Sequence, residues 1–322
     1  EAARLYSNLT LFDVQGLDLR KADEHSRKAL DYLSKVAADP ESRPLRPHVL
    51  YARGLAIDRL DPSAGIALFQ EASALYSALH REKPSHELHQ GMMLCHWRLA
   101  ARHLVELRPQ QALRHSREGL VLAEQSLAAG PASPRRQLAV STAAGILCWN
   151  YIDLRDYASA EPLARRLTAM RERILQEDPG NQQSLAYLAE AFKYLASSRL
   201  GLGRFQETRD AAAQAVRIYE EMLAKGTLAP FHRAGLPESR LILADALLSS
   251  GNRAEGCAER RRGLAAFHAI GVDQRLKGFR RSIQDAQKAV DECEAATGRP
   301  VNPTARKSED TAPPAQTPQT RP

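Results

Sequence analysis

Aromatic residues are scarce in this chain: Phe, Trp and Tyr make up 6% of 322 residues, and only two are Trp. Sheets draw on aromatic and β-branched side chains, and the 43% hydrophobic share here is carried mainly by Ala and Leu, so helices are favoured over sandwiches and barrels. No apolar run approaches the roughly 18 residues that a membrane-spanning helix needs, which excludes membrane insertion of this segment. The opening residues, EAARLYSNLT, have neither the basic start nor the apolar middle of a secretory signal. The start at Glu1 rather than Met points to a fragment or a processed product. No C-x-x-C pair occurs among Cys95, Cys148, Cys257 and Cys293. They read as buried free thiols of a reducing compartment, hence a cytoplasmic placement, with a membrane anchor elsewhere in a parent protein left open. G-x-S-x-G and Walker loops are missing too, so no catalytic residue and no cofactor is expected.

What is present is repetition. Charged residues make up 26% of the chain, with 45 Lys+Arg against 38 Asp+Glu, an ordinary balance for a folded protein. A small residue recurs as Ala22, Gly65, Ala112, Ala160, Thr208 and Gly256, at spacings of 43, 47, 48, 48 and 48. Thirteen residues before each stand Leu9, Ala52, Leu99, Leu147, Leu195 and Leu243. Seven after each stand Ala29, Ala72, Gly119, Leu167, Ala215 and Gly263. Apolar residues step by three and four in both halves of each unit, as in Leu185, Leu188, Ala189, Phe192, Leu195 and Ala196, which predicts helical hairpins. Gly16, Gly201, Gly203 and Gly251 fall at the expected turns, and Pro40, Pro84, Pro131 and Pro179 close second helices. One hairpin cannot bury its apolar face alone, so the hairpins must stack. Residues 1–297 are therefore expected to form a solenoid of about six hairpins, with Arg275 to Ala296 supplying a polar capping helix. Residues 298–322, rich in Pro and Thr, are expected to be a disordered tail.

These columns resemble the tetratricopeptide repeat. Leu99-Ala100, Leu147-Cys148, Leu195-Ala196 and Leu243-Ala244 match its large-small pair, Tyr157 and Phe205 its aromatic after the turn, and Tyr151 its first-helix aromatic. Ala52-Arg53 departs from the pattern in the second unit. The resemblance covers roughly residues 1–270 and implies an all-α, right-handed superhelical solenoid that binds a protein or peptide. The 48-residue period is longer than the usual ~34, and the stretch Met170–Phe205 resembles repeats carried C-terminal to bacterial serine/threonine kinase domains. The kinase itself is absent from this chain: no glycine-rich nucleotide loop, no H-R-D and no D-F-G occurs. The implied role is a non-catalytic protein–protein interaction scaffold, expected as the C-terminal region of a bacterial serine/threonine kinase; the alternative is a stand-alone enzyme or nucleic-acid-binding repeat protein.

By the same resemblance, first helices line the inner face, and the residues projecting inward would include Leu94, Trp97, Leu104, Trp149, Ile152 and Lys193. Packing of both tryptophans between long helices is the competing reading. His89, His96 and His103 lie seven apart, about 10 Å along one helix, too far to share a metal. With His80 and His86 they read as packing residues, and His86-Glu87-Leu88-His89 is one residue short of the zinc-protease spacing, so no metal is expected. Arg260, Arg261, Arg262, Lys277, Arg280 and Arg281 have only Phe279 interleaved and acids among them, which reads as a solvated face rather than a nucleic-acid surface.

Overall fold

The computed structural model describes residues 1–16, 18–36, 39–40, 42–58, 60–106, 108–130, 133–229, 232–270 and 280–297. Among these there are helices and no strand. Six hairpins follow one another: α1 (Ala2–Gly16) with α2 (Leu19–Lys35), α3 (Leu45–Ile57) with α4 (Pro62–Glu82), and α5 (His86–Val105) with α6 (Pro109–Ala128). Then come α7 (Pro134–Asp153) with α8 (Tyr157–Glu177), α9 (Gln182–Gly201) with α10 (Phe205–Ala224), and α11 (Gly235–Ser249) with α12 (Arg253–Ile270). A thirteenth helix, α13 (Arg280–Thr297), packs on α12 as the expected cap. The all-α solenoid of six hairpins is thus the observed fold. Residues 298–322, expected to be a disordered tail, lie outside the described residues, as does Lys277. No helix among the described residues is long and apolar enough to cross a membrane.

Local chemistry explains why each helix starts where it does. Ser85, Ser133 and Asn181 stand 48 apart and cap α5, α7 and α9, each side-chain oxygen accepting from a backbone N–H three residues on. Asp18, Asp61 and Asp156 do the same for α2, α4 and α8. Such caps satisfy amides that have no partner inside the helix and contribute about 1 kcal/mol each. Gly203 and Gly251 take positive φ (74° and 82°) in the turns after α9 and α11, a conformation that glycine adopts without penalty.

The repeat columns are the packing axis. Ala22, Ala112, Ala160 and Thr208 are fully buried, and Gly65 and Gly256 are buried with them. A Cβ added at Gly65 would lie 2.7 Å from the Asp58 Cα, so only glycine lets the chain pass there. Three glycines of odd-numbered helices receive a tyrosine ring from the preceding even-numbered helix: Gly91 takes Tyr76, Gly201 takes Tyr157 and Gly235 takes Tyr219. The departure at Ala52-Arg53 also has a cause: Arg53 Nε turns back to Asp23 Oδ1, 3.5 Å away on α2, while Ala52 remains fully buried.

Consecutive odd-numbered helices touch along the stack, whereas consecutive even-numbered helices from α2 to α12 do not make comparable contact. The stack therefore curves with the odd-numbered helices on its inner side.

Two cysteines correct the sequence reading. Cys95 and Cys148 are buried free thiols as expected, and burial pushes both up to about 12. Cys257 of α12 and Cys293 of α13 are instead joined in a disulfide, with Cα atoms 5.7 Å apart. Their separation of 36 residues gave no sign of pairing, because contact depends on how α13 folds back onto α12.

Candidate functional site

The inner side opens into a bay of about 660 Å³ lined mainly by α7, α9 and α11. Its floor is charged. Behind that floor Arg171 of α8, 3% exposed, places Nη1 3.3 Å from the Glu190 carboxylate on α9. Its guanidinium also donates to the carbonyls of Tyr187 and Ser141, so a cation that cannot shed its proton is held by three acceptors. Glu190 in turn accepts from the Tyr194 hydroxyl at 3.1 Å. Burial pushes the Glu190 carboxyl up, but the charges of Arg171, Lys193 and His232, with the Tyr194 bond, outweigh it and hold it below the usual range. Three residues along α9, Lys193 donates to Glu238 of α11 at 2.5 Å. Burial opposes the Lys193 charge, yet Glu238 and Glu190 raise its affinity for the proton above the ordinary lysine value.

The lip is apolar. Trp149 and Ile152 of α7 stand at the edge, and Trp149 remains 37% exposed. The far wall is the capping helix, through Asp285, Ala286 and Ala289. Arg260 ties this wall in place by donating to Asp245 of α11 (2.9 Å) and to the Ala289 carbonyl (3.1 Å). Arg262 is likewise engaged, with Glu259, so the Arg260–Arg262 run is partly consumed in intramolecular pairs.

Of the six residues expected on the inner face, the bay brings together Trp149, Ile152 and Lys193. Trp97 sits apart, in a crevice of about 10 Å³ with His115 and Gly119. Leu94 packs against two core clusters, and Leu104 is buried at 8% exposure, so both belong to the core. Arg171, Glu190, Tyr194 and Glu238 were missed. Their signal was a polar triplet, Glu190, Lys193 and Tyr194, at three- and four-residue steps within the otherwise apolar face of α9.

The histidines also have partners beyond their own helix. His103 is 5% exposed and stacks on His115 of α6, with ring centres 5.4 Å apart. His86 Nδ1 lies 2.6 Å from the Ser126 hydroxyl, and His80 packs on His89. His96 faces His115 and Glu118.

No protein-family model and no curated protein matches the chain. Solved structures do. BtubC (BKLC) from P. vanneervenii aligns at 17% identity with a TM-score of 0.58, covering 79% of this chain and 93% of that one. The apo form of RapI aligns at 7% identity with a TM-score of 0.61, covering 92% and 72%. A Rap protein complexed with Competence and Sporulation Factor aligns at 16% identity with a TM-score of 0.53, covering 91% and 76%. At these identities the likeness is one of fold.

Proposed function

We propose that this chain is a non-catalytic interaction scaffold whose bay takes a peptide segment bearing a basic side chain next to an apolar one. The bay itself carries the reading: an open space on the inner face with an exposed tryptophan at its lip. Tryptophan is enriched where partners bind most tightly. Asp153, Glu190, Glu238, Asp245 and Asp285 outnumber Lys193 and Arg260 along the lining, so a cationic group on the ligand is favoured. The Rap protein complexed with Competence and Sporulation Factor supports a ligand-taking role for this architecture. The length of the repeats supports a place beside a bacterial serine/threonine kinase domain. The Cys257–Cys293 disulfide supports an oxidising setting over a cytoplasmic one, as on the outer side of a membrane-anchored parent.

The test is a peptide library selected on the immobilised chain, followed by titration of the winners. Trp149→Ala should weaken binding by about 2 kcal/mol or more, while costing less stability than the ~3–5 kcal/mol of a truncated core aromatic. Winners without Lys or Arg, or affinity unchanged in the folded variant, would remove the bay as the binding site.

A further inference from the structure

Outside the bay, three metal-ligating side chains converge where α5 meets α6. His96 reaches across from α5, while His115 and Glu118 lie one turn apart on the facing side of α6. Gly119, in the small-residue column, sits directly beneath His96, where a Cβ would lie 3.6 Å from the His96 Cβ. His96 Nδ1 is 3.1 Å from His115 Nδ1 and 3.1 Å from Glu118 Oε2. His115 Nδ1 is 3.5 Å from the same carboxylate oxygen.

Protons cannot satisfy this triangle. Each neutral imidazole carries at most one proton on Nδ1. If both donate to Glu118, the two N–H groups oppose each other across the 3.1 Å edge. If one donates to the other nitrogen, the accepting nitrogen has no proton to turn toward Glu118, so two acceptors face each other, at 3.1 Å for His96 or 3.5 Å for His115. A cation satisfies all three at once. Ligand atoms about 2.0–2.1 Å from a tetrahedral zinc stand about 3.3–3.4 Å from one another, which is the size of the observed triangle.

The surroundings suit such an ion. Arg114 Nε donates to the other Glu118 oxygen at 3.1 Å, which leaves Oε2 to face the imidazoles. His103 stacks on His115 at an 11° interplanar angle and fixes its plane. The imidazoles are 17% and 14% exposed and Glu118 40%, so water reaches one side and can fill a fourth position.

We infer that His96, His115 and Glu118 form a site for a divalent first-row transition cation, Zn²⁺ in the first instance, that clamps α5 to α6. Two nitrogens and one oxygen select zinc, cobalt or nickel over Mg²⁺ and Ca²⁺, which prefer all-oxygen shells. The site is separate from the bay and does not depend on the bay's ligand.

The test uses the full chain, stripped with chelator and dialysed against Zn²⁺ or Mg²⁺ alone. Bound metal is counted by elemental analysis, and the thermal midpoint is recorded with and without each ion. One equivalent of zinc per chain, a raised midpoint and no response to Mg²⁺ are expected. Glu118→Gln keeps shape and a half-exposed position, so it should remain folded and bind zinc at least tenfold more weakly. His115→Gln should abolish stoichiometric uptake. Co²⁺ should give the visible absorption of a four-coordinate ion in the parent chain and lose it in Glu118→Gln. No uptake by the folded parent chain overturns the inference. Uptake unchanged in both variants also overturns it, because the metal would then bind elsewhere on the chain.

Discussion

Behind the floor of the bay, Arg171 is almost wholly buried and keeps its charge because Glu190 and two backbone carbonyls surround it. At the α5–α6 seam, His96 and His115 are less enclosed, no counter-ion is supplied beyond one edge of Glu118, and burial pushes both rings toward the neutral form. The same fold thus answers the cost of enclosing polar groups in two ways. Where several helices contribute side chains, charges are matched and retained. Where two helices face each other, protons are shed and lone pairs remain. The first arrangement makes each charge depend on its partner; the second leaves acceptors that nothing else in the chain requires.

Removing one member of the matched set should therefore have the largest effect. Arg171→Met strands the Glu190 charge and should cost about 3–5 kcal/mol in a urea melt, whereas Arg171→Met with Glu190→Gln should recover much of it. Equal losses in the single and the double variant would mean that pairing is not what holds Glu190. Cys257→Ser, which frees the end wall of the bay, should cost about 2–4 kcal/mol for the loop it opens. Thiol titration of the denatured, unreduced parent chain should count two free cysteines; four would refute the bond.

Glycines separate the two regions at a finer scale. A Cβ at Gly235, beside the bay, would fall 2.3 Å from the Tyr219 ring, so Gly235→Ala should lower stability by about 1–3 kcal/mol. At the seam, Gly119→Ala meets only ordinary contacts, and better helix propensity should leave it unchanged or up to about 1 kcal/mol more stable. Matching thermal shifts in the two variants would erase the distinction. The smallest effect is a gradient with pH. The folded Glu190 carboxyl is held below its ordinary 4.5, so its contribution is complete above that pH and is lost as pH falls through the folded value. Urea midpoints between pH 6 and 3 should decline with acid, and less steeply in Glu190→Gln.

Much of the architecture was legible because it is periodic. The small-residue columns, the turn glycines Gly203 and Gly251 and the closing prolines each recur at the repeat length, and each maps to a packing contact or a helix end. Contacts that break the period were not legible. His115 was invisible as a partner of His96 because the histidines were compared along one helix, while the partner came from the next one across Gly119. Cys257 and Cys293 belong to the last repeat and the cap, where no other unit shows the same pairing. Trp149, Ile152 and Lys193, expected on the inner face from the repeat resemblance, line the bay. Leu94 and Leu104 lie on the same helix as Trp97 but are drawn into the core instead.

The tyrosine rings seated on Gly91, Gly201 and Gly235 have a mechanical meaning. Each joins one hairpin to the next through a single bulky side chain pressed on bare backbone, and the joints lie one after another along the chain. Tension applied at the two ends would load them in series, and since each hairpin leans only on its neighbours, the weakest joint would yield first while the others stayed shut. Extension would then proceed in steps of one hairpin, and the bay, set between Gly201 and Gly235, would lose its shape when either adjoining joint let go.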